Sequence, residues 1–394
     1  MMTPSLDEIL EARLGDLERA GLLRAPVVLD GPTGPRVRIG EREFLLFASN
    51  DYLGLAAHPA LAAAGIKAIE AYGAGSGASR LVSGSLRIHA EAEEAAASFE
   101  RREAAILFPS GYQANIGVLA ALAVEGDVIF SDALNHASIV DGCRLSRAKR
   151  AVYHHCDLNH LETLLKREAG KNRWIVTETV FSMDGDAAPL GGIVELANRH
   201  GAFVIVDEAH ATGVLGPTGR GGVEESGTTD SVDVQVATLG KALGCAGAYV
   251  TGGRRLIEFL RNRARSFIFS TSVPPVAAGM AIEAFSLVDR EPERRDRLGE
   301  NRRRMAEGLK RLKSLGAGAF AGRSAIFPLV VGGNERAARL AGRLYEEGVL
   351  VPAIRPPTVP EGTARLRLTV TAAHSGEDID RVLNVLGRSL AGAA

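Results

Sequence analysis

From about residue 104 to residue 252 the chain alternates compact apolar runs with stretches whose apolar residues recur at helical spacing. The compact runs are AAILF (104–108), DVIFS (127–131), RWIVTET (173–179), FVIVDE (203–208), VDVQVATL (232–239) and GAYVTG (247–252). The helical stretches between them are YQANIGVLAALA (112–123), HLETLLKREAG (160–170) and GGIVELANRHG (191–201). Strands that are apolar on both faces are buried on both faces. Their alternation with helices predicts an α/β fold, a mostly parallel central sheet flanked by helices. Ligands of such sheets sit beyond the C-terminal strand ends. The residues that follow each strand are therefore the candidates for chemistry.

Past about residue 285 the texture changes. Residues 289–316 read as a charged amphipathic helix or helix pair, followed by the strand AIFPLVVGG (325–333), the helix NERAARLAGRLYEEG (334–348), the strand ARLRLTVT (364–371) and a last helix from about Gly376. Strands with helices packed on one face predict a small C-terminal α+β domain. The expected division is a helix and arm at 1–45, a large domain at 46–288 and a small domain at 289–394. RPPTVP (355–360) reads as a rigid extended loop.

Composition narrows the function classes. The chain has 394 residues, 46% hydrophobic and 24% charged, with a formal net charge of -1. That balance argues against a nucleic-acid partner bound through phosphate neutralisation. The basic run RRLIEFLRNRAR (254–265) reads as a solvated helix face. Cys143, Cys156 and Cys245 are odd in number and lack metal spacing, which suits a reducing, cytoplasmic setting. HHCD (154–157) resembles a ligand cluster, but neighbours on a strand point to opposite faces, so no metal is expected. The N-terminus is charged and helical in period, unlike a signal peptide, and no apolar run has the ~18 residues a membrane span needs.

Three strand ends carry unusual residues. FVIVDEAHATG ends in Asp207 and His210, VDVQVATLGKALG in Thr238 and Lys241, and AAILFPSGYQ in Gly111 and Tyr112 at a helix start. DEAH (207–210) alone suggests a helicase, but that also needs G-x-x-x-x-G-K-[ST]. Gly240–Lys241 is followed by Ala242 and preceded by Gln235 where the first glycine belongs. GAGSGA (73–78) formally matches a dinucleotide motif, yet a helical pattern precedes it where a strand is required. Lys241 is the only charge in TLGKALGCAGAYV (238–250), and a desolvated lysine is a nucleophilic amine. A helix N-terminus is an anion site. One buried amine, one carboxylate and one phosphate-binding helix start together meet the demands of pyridoxal 5'-phosphate: a lysine Schiff base and an acid facing the ring nitrogen.

The chain also resembles the α-oxoamine synthases, fold-type I pyridoxal-phosphate enzymes that join an amino acid to an acyl thioester. The resemblance runs through FASNDYLGLAAHP (47–59), GSGASRLVSG (75–84), FPSGYQANIG (108–117), DALNHASIVDG (132–142), ETVFSMDGDAAPL (178–190), VDEAHATGVLGPTGRG (206–221), ATLGKALGCAGAYV (237–250), FIFSTSVPP (267–275) and ARLRLTVTAAH (364–374). It implies that Lys241 forms the Schiff base and moves the substrate proton, and that Asp207 pairs with the ring nitrogen. It further implies that His136 stacks on the ring, that His210 and Ser182 lie at the ring oxygen, and that Gly111, Tyr112 and Thr238 hold ring and phosphate. Thr271 would reach the phosphate from a partner subunit, implying a homodimer with a shared site. Arg367 would clamp the amino-acid carboxylate, a bidentate task. Read from the strand alone, Arg365 and Arg367 are two outward charges at period 2. Asn50 would lie near the substrate, with Arg24 and Thr358 along the acyl channel. RPPTVP resembles the branch that uses L-alanine and a pimeloyl thioester, carried by CoA or an acyl carrier protein. Glycine-using branches making 2-amino-3-oxobutyrate or 5-aminolevulinate, and a serine-using branch, are the alternatives. Ser79 in place of a bulkier threonine leaves room for the alanine methyl group. Ser85 departs from the family pattern after RLVSG and bears on no catalytic role.

Overall fold

A computed structural model describes residues 4–312 and 323–391. The chain enters through helix α1 (Leu6–Arg19), where Ser5 and Glu8 form a reciprocal cap and no residue is buried. An irregular arm leads to the hairpin β1 (Arg36–Ile39)–β2 (Arg42–Leu46). Helices α2 (Pro59–Tyr72) and α3 (Arg87–Phe99) follow. Next come β3 (Ala104–Phe108), α4 (Gly111–Leu122), β4 (Val128–Asp132), α5 (Ala137–Leu145), β5 (Lys149–Tyr153), α6 (Leu158–Arg167), β6 (Arg173–Glu178), α7 (Leu190–His200) and β7 (Phe203–Asp207). After the short α8 (Gly222–Glu225) lie β8 (Val234–Thr238) and β9 (Ala248–Gly252).

These strands make one seven-stranded sheet in the order β3-β9-β8-β7-β6-β4-β5. All neighbours are parallel except β9, which runs antiparallel to β3 and β8. Because β9 reverses between them, β3 and β8 point the same way. The C-terminal ends of β3, β8, β7, β6 and β4 therefore meet along one edge. The central strands are buried at nearly every position, as their continuous apolar runs require. The exception is β5, an edge strand with three exposed residues of five.

Helices α9 (Arg254–Arg263), α10 (Arg265–Ile268) and α11 (Pro275–Arg290) return along the sheet. The basic run forms α9 and the start of α10; α9 buries only Ile257 and Leu260, and its arginines face solvent except Arg261, which pairs with the buried Glu93 at 3.0 Å. The expected domain boundary at 288/289 falls inside the last turn of α11. The chain breaks at Glu291–Pro292 and continues as α12 (Glu293–Arg311). The remainder of the expected helix 289–316 runs outside the described residues. The C-terminal elements are β10 (Ile326–Gly332), α13 (Asn334–Glu346), β11 (Val349–Leu350), β12 (Ala353–Ile354), β13 (Ala364–Thr369) and α14 (Gly376–Ala391). They form an antiparallel sheet β10-β13-β12. A second sheet joins β11 to β2 in parallel, so the arm is stitched into the C-terminal half. One apolar cluster runs from Tyr52, Leu53 and Leu55 through Phe285 to Leu366, Leu368 and Leu386, joining both halves.

Beneath the sheet, Glu100 is fully buried and accepts hydrogen bonds from Tyr249 and Gln235. Burial pushes its carboxyl up to about 8, and the nearby Glu208 carboxylate adds to the rise. Below the ordinary glutamate value both folded and unfolded chains hold this proton. Between about 4.5 and 8 only the folded chain holds it, so stability falls as pH rises through that window. Glu100→Gln is expected to gain on the wild type by a few degrees in Tm between about pH 5 and pH 9. A Tm difference that does not change with pH would contradict this assignment.

Candidate active site

The shared edge of the sheet gathers the strand-end residues. Asp207, the last residue of β7, is buried and takes two donors: the Ala209 amide at 2.8 Å and Asn115 Nδ2 at 2.6 Å. Asn115 lies on α4 and also donates to Ser138 Oγ at 2.9 Å. Ser138 Oγ in turn lies 2.8 Å from His136 Nδ1, and His136 caps α5. The ring of His136 keeps solvent access, while surrounding protein and the Lys241 charge lower its pKa against the pull of Asp207. The main-chain N–H of His136 donates to Glu178 Oε1 at 2.6 Å. Burial, and then the Asp207 charge, push Glu178 up to about 8.

Lys241 follows β8 through a turn tied by Thr238, whose Oγ1 donates to Gly247 O and accepts from the Gly240 amide. Its Nζ is 2.7 Å from His210 Nε2, and His210 Nδ1 is 2.7 Å from Tyr52 Oη. Tyr52 Oη donates to Asn50 Oδ1 at 3.1 Å and accepts from Arg367 Nη2 at 3.4 Å. His210 thus bridges the Tyr52 hydroxyl and the Lys241 amine through its two ring nitrogens. A charged His210 is disfavoured twice, by burial and by the Lys241 charge, and its pKa is lowered accordingly. Burial brings Lys241 down to about 8, with Asp207 and Glu178 opposing that fall.

Arg367, on β13, is buried. It donates through Nε to Ser182 O at 2.6 Å and through Nη1 to Asn50 Oδ1 at 3.1 Å. The pair Arg365 and Arg367 are thus not two outward charges. Both are buried, and Arg365 pairs with Asp184 at 2.6 Å. The structure brings Asn50, His136, Ser182, Asp207, His210, Lys241 and Arg367 into one linked cluster.

Gly111 opens α4 and Ser110 caps it, with the Gly111 Cα beside Thr238. Tyr112 is exposed and its hydroxyl donates to Asp141. Thr271 is exposed and bridges Ser79. Arg24, on the arm, is bonded to the 355–360 loop that carries Thr358. Arg24 donates to Pro356 O at 2.9 Å, and the Thr358 amide donates to Arg355 O at 3.2 Å.

Sequence reasoning missed Tyr52, Asn115 and Glu178. Asn115 had one readable signal, an amide within the apolar pattern of α4. The premise about HHCD is corrected: these residues lie in the turn after β5, and Cys156 has φ 55, so the alternation of a strand does not apply. Asp132, His155 and Cys156 bring ligand atoms within 4.8 Å of one another. Both His155 ring nitrogens already face carboxylates, at 2.9 Å from Asp132 and 2.7 Å from Asp186, which leaves no lone pair for a cation.

Residues 42–386 match the model of the aminotransferase class I and II family. The chain belongs to that family. Several of its relatives by sequence are named 8-amino-7-oxononanoate synthase. An 8-amino-7-oxononanoate synthase of Anaeromyxobacter dehalogenans is 51% identical over 96% of this chain and 94% of its own. One from Symbiobacterium thermophilum is 49% identical over 96% of each. Among solved structures, serine palmitoyltransferase from S. paucimobilis with a bound PLP–myriocin aldimine superposes with TM-score 0.92 at 32% identity, covering 99% of both chains. An 8-amino-7-oxononanoate synthase from Francisella tularensis gives TM-score 0.75 at 28% identity, covering 89% of this chain and 98% of that one.

Proposed function

We propose that this chain condenses L-alanine with a pimeloyl thioester, with loss of carbon dioxide and of the free thiol, to give 8-amino-7-oxononanoate, using pyridoxal 5'-phosphate. The name carried by its relatives at about half identity supports the reaction and favours alanine over the glycine and serine branches. The observation that carries the reading is the network Lys241–His210–Tyr52–Arg367, which puts a lysine brought down to about 8 and a fixed guanidinium at two ends of one bonded chain.

The residues fit the cofactor. An amine brought down to about 8 can be covalently engaged near neutral pH. Asp207 has its carboxylate held by two donors and faces a site that also contains Lys241 and His136. The start of α4, beside Thr238, presents backbone N–H groups suited to a phosphate, with Gly111, Tyr112 and Thr238 around it. When bound, pyridoxal phosphate supplies an electron-accepting ring that stabilises negative charge at the substrate α-carbon.

The chain's own residues do the rest. Lys241 takes and returns the α-proton, and His210 keeps its amine oriented. Asp207 would keep the nitrogen of a bound ring protonated; opposite charges 4 Å apart attract by about 4 kcal/mol at an effective dielectric of 20, before desolvation. His136 would cover the face of the bound ring and Ser182 would border it. Arg367, with Asn50 beside it, grips the amino-acid carboxylate. Arg24 and Thr358 border the acyl chain, and Thr271 serves the site of a partner copy, making the working unit a homodimer. Purified holoenzyme given L-alanine and pimeloyl thioester is expected to yield 8-amino-7-oxononanoate by mass, faster than any product from glycine or serine. Preference for glycine or serine at equal concentrations would refute the alanine assignment.

A further inference from the structure

The His155 side chain stands between two active-site turns and bonds to both. Its Nδ1 donates to Asp132 Oδ1 at 2.9 Å and its Nε2 to Asp186 Oδ2 at 2.7 Å. Two donating ring nitrogens mean a charged imidazolium. The two carboxylates outweigh burial and raise its pKa to about 12. Phe181 meets the ring edge-on with centroids 4.4 Å apart.

On one side, Asp132 ends β4 and is buried. It accepts the Leu134 amide at 2.8 Å and the Cys156 amide at 2.9 Å. Its turn runs directly into Asn135 and His136. On the other side, Asp186 closes the turn 181–187. That turn is bonded internally by Phe181 N to Asp186 O at 3.0 Å and Gly185 N to Phe181 O at 2.8 Å. Gly185 sits at φ 71, where a Cβ would come within 2.6 Å of Ile326 O, so the turn is also pressed against β10. The same turn presents Ser182 O to Arg367 and Asp184 to Arg365. Asp186 Oδ1 is shielded from solvent with no hydrogen-bond partner, so His155 is the partner that holds this carboxylate.

We propose that His155 is a positioning residue: it ties the turn bearing His136 to the turn that fixes Arg367, and so sets how the amino-acid substrate is gripped without touching it. The inference rests on the role proposed above for Arg367. Without His155, Asp186 loses its partner, the 181–187 turn loosens, and the Ser182 carbonyl no longer holds the guanidinium plane.

Two variants test it. His155→Phe keeps the apolar contact and removes both bonds; Asp186→Asn keeps size and removes the charge. Each is expected to raise KM for L-alanine roughly tenfold while KM for the pimeloyl thioester stays within about twofold. Amide hydrogen exchange on the same proteins is expected to speed up at 132–138 and 181–187 and to stay unchanged in β7 and β8. This second readout stands even if wild-type protein turns over neither substrate, an outcome that would sink the functional reading alone. Equal changes in both KM values, no change in either, or unaltered exchange in the two turns overturns the proposal. If His155→Phe fails to fold, Asp186→Asn alone decides.

Discussion

Lys241→Ala is expected to lower turnover by at least roughly 10³-fold and to abolish the visible absorption of the cofactor-loaded protein. The size follows from two roles on one atom. In the proposed reading the Nζ serves as both covalent anchor and proton carrier, and its burial favours the neutral amine. Burial brings it down to about 8. His210 Nε2 lies 2.7 Å from it, and burial lowers the pKa of His210 so that it stays neutral. His210 is not free to replace it, since its Nε2 faces Lys241 and its Nδ1 is engaged with Tyr52. The fold should survive the substitution, because alanine leaves the turn from Thr238 to Gly247 with its own hydrogen bonds. Unchanged circular dichroism with lost absorbance and turnover is the expected pair of results; retained turnover would refute the role.

Arg367→Ala is expected to raise KM for L-alanine by roughly 10²-fold, from about 3 kcal/mol of lost interaction with a buried carboxylate partner. Every guanidinium bond observed is to a neutral oxygen: Ser182 O, Asn50 Oδ1 and Tyr52 Oη. The charge itself is therefore unpaired in these contacts, and a substrate carboxylate would complete it. Asn50 and Tyr52 fix the two terminal nitrogens side by side, the fork that carboxylates match. Arg367→Lys should recover only part of the loss, since a point charge cannot reproduce the fork. KM for the pimeloyl thioester should move little. A KM for alanine within about twofold of the wild type would assign the clamp to another residue.

Much of this was legible in the chain. Strands buried on both faces announce themselves as unbroken apolar runs, so β3, β4, β6, β7, β8 and β9 were found within a few residues of their ends. The edge strand β5 was not, because KRAVY faces solvent at three of its five positions and carries no such run. Helix α5 is only nine residues long and starts from a histidine cap, giving little periodicity to read. Lys241 and Asp207 stood out as charges after apolar strands. Their supporting partners did not. Tyr52 and Arg367 lie 315 positions apart in sequence, and Asn115 reaches Asp207 across 92. Such pairs exist only once β7, α4 and β13 are packed. The HHCD segment misled for a related reason: strand alternation was applied to residues that form a turn, where Cys156 adopts a left-handed backbone.

The central claim is that the amine of Lys241, facing His210 and within reach of the Asp207 field, is the group that engages pyridoxal phosphate. Borohydride reduction of the cofactor-loaded wild-type protein, followed by peptide mass mapping, reads this directly. The account predicts a pyridoxyl adduct on the peptide containing Lys241 and on no other lysine. An adduct elsewhere, or none after saturation with the cofactor, would contradict it.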